Sequence, residues 1–195
     1  MNKLRDTSML DLFGDTYPLI MTRQIRYNNR NRIHNEDLAQ HSFMVAYNIL
    51  KVAYYYKIPN DITYKAAAMA IVHDYPETYT ADIPHDCKVK YPELRELLSK
   101  IEIDFIKEEV PELEELYKDY LKGDSVVATL VDLGDAISVL QYVNREINHG
   151  NKDKDMEIIK NEVSVRIINL LNKLDKEVQP DGKHGRNRKA NKETK

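Results

Sequence analysis

The residues best equipped for chemistry lie in one short run, His73-Asp74-Tyr75-Pro76-Glu77, continuing to Asp82. Neutral imidazole and carboxylate together suit a divalent ion such as Zn, Mn, Co, Fe or Mg, and an adjacent His and Asp at a fraying helix end can both turn toward one ion. Two ligands hold a metal poorly, so partners are needed from elsewhere in the chain. His41 is a third candidate, flanked by Gln40 and Ser42 beside the apolar positions Leu38, Val45 and Leu50. Asp135 is a fourth: it falls mid-helix between Val131 and Val139, where an unpaired carboxylate is costly to desolvate and calls for a cation. Asp132 is a weaker candidate on the same segment. Taken singly, each has an ordinary reading, the histidines as polar or capping residues and Asp135 as the partner of a Lys or Arg. It is the combination that points to one divalent metal ion.

The elements that must position these residues read as helices throughout. Six Gly and seven Pro in 195 residues leave few breaks, and the segments between them carry apolar residues at the helical period. The expected elements are a short helix capped near Ser8 and stopped by Gly14, a second over 17–26, a first long helix over 37–56 and one capped by Asp61 running to His73. The apolar face of the helix over 37–56 is read as Leu38, Phe43, Val45, Ala46, Ile49, Leu50 and Ala53. Because Ala66 to Val72 is apolar all round, the helix ending at His73 is expected at the centre, and Pro76 limits it. Two charged amphipathic surface helices follow over 92–108 and 111–122, then long helices over 124–149, capped by Asp124, and over 156–174. The fold class is all-α, a single helical domain over 1–178, with 179–195 a basic, flexible C-terminal tail.

Composition narrows the setting. The chain is 31% charged and 42% hydrophobic, and its mean hydropathy of −0.60 is that of a globular, water-facing protein. Apolar runs such as Ala66 to Val72 fall short of the roughly 20 residues of a membrane span, so no membrane association and a cytoplasmic location are expected. The lone Cys87 rules out an internal disulfide and a cysteine-cluster metal site. A net charge of −3 makes nucleic acid an unlikely partner.

The ordered set His41, His73-Asp74, Asp135 resembles the HD-domain superfamily of metal-dependent phosphohydrolases, whose pattern is H…HD…D on a helical scaffold, over roughly residues 20 to 175. The closer resemblance is to bacterial 5′-deoxynucleotidases of YfbR type, carried by Arg26-Tyr27, by Leu38-Ala39-Gln40-His41-Ser42, by His73-Asp74 with Glu77, by Thr80-Ala81-Asp82-Ile83-Pro84, by Lys88 and by Asp135-Ala136. The sequence departs from that pattern at Tyr27, where the family has Trp, at Gln40, where it has Glu, and at Ala81, where it has Gly. None of these is a proposed ligand; they bear on which nucleotide is hydrolysed.

The resemblance implies an HD-domain helical bundle that holds one divalent ion through His41, His73, Asp74 and Asp135, with Arg26, Tyr27 and Lys88 on the substrate. Glu77 and Asp82 share the acid/base and water-orienting roles. The implied reaction is hydrolysis of deoxynucleoside 5′-monophosphates to deoxynucleoside and phosphate. Its rival is a deoxynucleoside triphosphate triphosphohydrolase releasing triphosphate, to which a basic cluster of Arg23, Arg30 and Arg32 would lend capacity. A reading from a different class is a non-catalytic nucleotide-binding protein that keeps the fold. The charged helices and the resemblance together point to a homodimer or higher homo-oligomer.

Overall fold

The computed structural model describes residues 17–178. The expected helix near Ser8 and the basic tail over 179–195 lie outside the described residues. Among the described residues nine α-helices follow one another: α1 (Tyr17–Met21), α2 (Leu38–Tyr56), α3 (Asn60–Val72), α4 (Glu77–Thr80), α5 (His85–Lys90), α6 (Pro92–Glu109), α7 (Glu114–Lys122), α8 (Val126–Asn148) and α9 (Lys154–Val178), with a 3-10 turn at Pro111–Leu113. Among the described residues there is no strand, only an isolated antiparallel bridge between Ile25 and Asp37. The all-α reading holds.

α8 is the hub, packed against α2, α3 and α9. It buries residues all round, from Val127 to Glu146, because neighbours cover it on several sides. By length and composition α8 could cross a membrane, a stretch longer than the apolar runs singled out in the sequence; 61% of its most apolar 18 residues are buried inside this bundle. α3, expected at the centre, buries Ala66, Met69 and Ala70 but turns Ile71 outward at 57% exposure. Gly134 explains how closely α8 meets α2. A Cβ there would come 2.9 Å from both the Val45 carbonyl oxygen and Ile49 Cγ1, so only glycine permits this crossing.

Several boundaries differ from expectation for local reasons. The expected helix over 17–26 stops at Met21, because Leu38 N–H donates to the Gln24 carbonyl and Arg26 N–H to the Glu36 carbonyl, folding 22–37 back as a loop. On α2, Phe43 (67% exposed) and Leu50 (45%) lie off the buried face; that face runs Leu38, His41, Ser42, Val45, Asn48, Ile49, Ala53, and its polar members hid it. Asp61 sits inside the first turn of α3 rather than capping it. Ser125, not Asp124, caps α8, its Oγ accepting from Ala128 N–H at 3.1 Å.

Candidate metal centre and phosphate site

Three helices converge on one buried point. α2 begins where the Asp37 side chain accepts from Gln40 N–H at 2.8 Å, which places His41 one turn inside, fully buried. α3 ends at His73, whose backbone is still helical. The following turn delivers Asp74, and Pro76 precedes the short α4 that starts with Glu77. α8 brings Asp135 next to Gly134, so the close approach to α2 is also what carries Asp135 to His41.

Candidate ligand atoms of His41, His73 and Asp135 lie within 4.8 Å of one another. His41 Nε2 is 3.2 Å from Asp135 Oδ1 and 3.5 Å from Asp74 Oδ2, and His73 Nε2 is 3.3 Å from the same Asp74 oxygen. Two ligands each about 2.1 Å from one ion at a near-tetrahedral angle stand about 3.4 Å apart. Both imidazoles are held from behind. His73 Nδ1 donates to the Ala70 carbonyl at 2.7 Å, and since a carbonyl only accepts, that bond puts a proton on Nδ1 and leaves Nε2 as the nitrogen that faces the cluster. His41 Nδ1 lies 3.2 Å from Ser138 Oγ.

Neither Nε2 has a hydrogen-bond partner, although both are buried. Leaving such an atom unsatisfied costs about 1–3 kcal/mol, and two that point at one place mark a ligand site rather than a flaw. Burial, and then the charge of Arg26, pushes His41 down to about 4, so its ring is neutral at pH 7 and able to ligate. Burial opposes charge on Asp135, but the close approach of His41 and the charges of Arg166 and Arg26 outweigh it and hold this carboxyl well below the usual range. Asp74 is likewise low: burial is overcome by His73, Arg26 and His41. A neutral His41 imidazole with a second imidazole and ionised carboxylates beside it is the donor set of a divalent cation.

The other expected residues ring this cluster. Arg26 Nη1 donates to Asp74 Oδ2 at 2.7 Å, and its Nε stands 3.5 Å from Glu36 Oε2; it stays charged, its surrounding carboxylates outweighing burial. Tyr27 stacks flat on Tyr142 at 4.6 Å, so one face of its ring is taken by protein. Lys88 Nζ lies 3.4 Å from Glu77 Oε1 and is thereby tied to a carboxyl. Glu77 Oε2 is buried without a partner. Burial first, and the Asp74 charge second, raise its pKa well above the carboxylate range despite Lys88. Asp82 is half-buried on the loop after α4 and adds to the negative field on Glu77. Asp132 stands one turn from Asp135 and pairs with Arg166 at 3.5 Å, outside the three-ligand group.

Sequence reasoning missed Arg166, Glu36 and Ser138. Arg166, on α9, donates to Asp135 Oδ2 at 3.0 Å; its one signal is a long cation between Val163 and Ile167 on the inward side of an amphipathic helix. Glu36 is buried, and burial, countered by Arg26, pushes it up to about 7. Next to a capping Asp it carries no signal of its own. Ser138 shows itself only once α2 and α8 are known to pack.

The chain matches the family model described as 5′-deoxynucleotidase YfbR-like over residues 19–178. Among curated proteins none matches. Solved structures share the fold: a conserved hypothetical protein of Pyrococcus furiosus (22% identity, 88% of this chain and 99% of that one, TM-score 0.67), the HD phosphohydrolase DatZ of cyanophage S-2L, bound to dA and one catalytic zinc ion (18%, 84% and 95%, 0.61), and an HD-domain phosphohydrolase of Listeria innocua (20%, 85% and 86%, 0.63).

Proposed function

The chain belongs to the YfbR-like 5′-deoxynucleotidase family, and from that membership we propose that it hydrolyses deoxynucleoside 5′-monophosphates to deoxynucleoside and phosphate at the His41–His73–Asp74–Asp135 cluster. The observation that carries this reading is the pair of buried imidazole nitrogens without hydrogen bonds, facing two ionised carboxylates. A divalent cation held there would supply a Lewis acid for the phosphoryl oxygens and would lower the pKa of a bound water. That the phage phosphohydrolase of the same fold holds dA and zinc supports a deoxynucleoside and a divalent metal here as well.

The chain's own groups do the rest. Arg26, buried and permanently charged at the edge of the cluster, offers planar donors to phosphate oxygens. Glu77, its pKa raised by burial and by the charge of Asp74, gives its proton to the leaving 5′ oxygen as the phosphorus–oxygen bond breaks. Asp82, nearer solvent, orients the incoming water, whose oxygen ends on phosphorus with one of its protons, while the other passes through solvent back to Glu77.

A monophosphate is favoured by where the other arginines go. Arg30 pairs with Asp155, and Arg32 donates to the Tyr27 carbonyl and to Asn35, both at 3.0 Å. Two of the three arginines that would receive extra phosphates are thus employed in holding the loop. The test is a panel of deoxy mono-, di- and triphosphates with Mn or Co, separating orthophosphate from triphosphate. Orthophosphate from monophosphates is expected; triphosphate as the main product would overturn the substrate assignment, and no turnover with any nucleotide would overturn the enzyme.

A further inference from the structure

Two arginines touch the candidate ligands, and they do so differently. Arg26 donates to Asp74 Oδ2, the same oxygen that lies 3.3 and 3.5 Å from the two imidazole nitrogens. That oxygen is shared between guanidinium and cluster. Arg166 instead donates to Asp135 Oδ2, while Asp135 Oδ1 is the oxygen 3.2 Å from His41 Nε2. Here the two oxygens are divided, one for the arginine and one for the cluster.

The placement follows from helix geometry. Asp132 and Asp135 are three residues apart on α8 and so share a face. Arg166, on the neighbouring α9, sets one terminal nitrogen 3.0 Å from Asp135 and the other 3.5 Å from Asp132. A planar guanidinium can span two carboxylates a turn apart; a lysine ammonium, as a single point, cannot fix both. The arginine side chain is 46% exposed and that of Asp135 only 19%. The fork therefore closes the site from its solvent side and fixes which way the partly buried carboxylate points.

We propose that Arg166 is a positioning residue: with Asp132 as the second arm of its clamp, it engages Asp135 Oδ2 and so presents Asp135 to the divalent cation through Oδ1 alone. The proposal rests on the metal-centre reading above. Its consequence is a carboxylate that cannot swing to grip the ion with both oxygens, which keeps a coordination position open for substrate, as a catalytic site requires. Arg166 also brings positive charge close to the ion. On Coulomb grounds alone its removal should strengthen cation binding; on positioning grounds it should weaken it. The two accounts differ in sign.

The experiment titrates the metal-free full chain with Co²⁺ and follows affinity, visible absorption and Tm in wild type, Arg166→Gln, Arg166→Lys and Asp132→Asn. Positioning predicts that Arg166→Gln lowers Co²⁺ affinity about 10- to 100-fold, the scale of losing a group that orients a ligand. It also predicts a changed visible spectrum, with Asp135 free to bind through both oxygens. Arg166→Lys should recover part of the affinity, and Asp132→Asn should show a smaller loss of the same sign. Because Arg166 is half exposed, Tm should hardly move, and a Tm drop matched by no change in metal affinity would overturn the proposal. So would equal or tighter Co²⁺ binding by Arg166→Gln with an unchanged spectrum, while leaving the metal centre standing. Failure of the wild type to bind Co²⁺, Mn²⁺ or Zn²⁺ would instead remove the metal-centre reading itself.

Discussion

α8 carries a partly buried carboxylate, Asp135, and a fully buried one, Glu146, eleven residues apart and about 16 Å along the axis, and they live in opposite circumstances. Glu146, fully buried near the C-terminal end, has every oxygen satisfied: Oε1 accepts from His34 N–H at 2.7 Å, and Oε2 accepts from Ile33 N–H at 2.7 Å and from Asn151 Nδ2 at 2.8 Å. Around it the Tyr142 hydroxyl donates to the His34 carbonyl, and Asn31 donates to Asp153. Asp135 sits in the cluster where His41 Nε2, His73 Nε2 and Glu77 Oε2 have no hydrogen-bond partner. The completed set of bonds is a structural fastening that pins the 26–37 loop, and with it Arg26, to the end of α8. The incomplete set is a place that chemistry completes. Burial of charge alone does not distinguish a site from a strut; the unsatisfied atoms do.

The sharpest way to break that contrast is Asp74→Ala. We expect it to abolish tight divalent-metal binding, read by elemental analysis, and turnover with it, while far-UV helicity persists. Arg26 keeps Glu36 as a neighbour, so stability should fall less than in the Glu146 variant below. Near-normal metal content and activity would mean that the cluster is another strut.

Glu146→Gln is the reciprocal experiment. It keeps the shape but turns one acceptor into a donor facing an N–H, and with charged hydrogen bonds contributing about 1.5–3 kcal/mol each, a loss of about 3 kcal/mol is expected in urea unfolding. Metal affinity should be unchanged, and KM should rise as the Arg26 loop loosens. pH tests the same point. Burial resists charge on Glu146, but the Ile33 N–H, the Asn151 amide and the His34 N–H outweigh it and hold its pKa below the ordinary 4.5. A carboxyl depressed on folding contributes stability that is full above its unfolded pKa and is lost as pH falls through its folded one. Wild type should therefore lose this contribution below about pH 4.5, and Glu146→Gln should show a flatter acid limb. Parallel acid limbs would show that Glu146 is not the fastening.

The third experiment stays at the incomplete site. Glu77→Gln should retain the metal and lower kcat about 100-fold, the ordinary effect of losing an acid/base group. A parallel fall in metal content would make Glu77 a ligand.

The two regions also differ in how far the sequence announced them. The cluster was legible because its residues break the apolar pattern of strong helices: His41 on a buried face, His73-Asp74 at a helix end, Asp135 in the middle of α8. The all-α architecture was legible for the same reason, in periodicity and in how few Gly and Pro interrupt it. Glu146 was not, since its partners are backbone N–H groups of a loop whose path no periodicity encodes. Arg166 and Ser138 escaped because each acts through a neighbour on another helix, and only the packing of α8 against α2 and α9 brings them to the ligands. Lys88 was named as a substrate contact, yet its distance to Glu77 is a fact of folding that its place in the sequence does not contain.

Backbone conformation gives the last and smallest test. At the fastening, the turn after α8 takes its left-handed residue as Gly150, φ +96°, at no steric expense, with nothing within 4 Å of where a Cβ would be. At the cluster, the same demand falls on Tyr27 (φ 57°) and Ala81 (φ 64°, ψ 164°), which carry side chains. Ala81 closes α4 through its N–H to the Glu77 carbonyl at 2.8 Å and leads directly into Asp82. Its conformation belongs to a region that is nearly glycine's alone and costs about 1–3 kcal/mol for other residues. Ala81→Gly removes that strain but gives the unfolded chain more freedom, which takes back about 0.5–1 kcal/mol. The net should be a stabilisation of about 1 kcal/mol, or about 2–4 °C in Tm. A looser link to Asp82 should lower kcat a few-fold with metal affinity unchanged. Gly150→Ala should move Tm the opposite way and leave kcat alone, because it strains the fastening and not the site. If both variants shift Tm in the same direction, or if Ala81→Gly gains stability with no change in kcat, the strain at Ala81 has no part in placing Asp82.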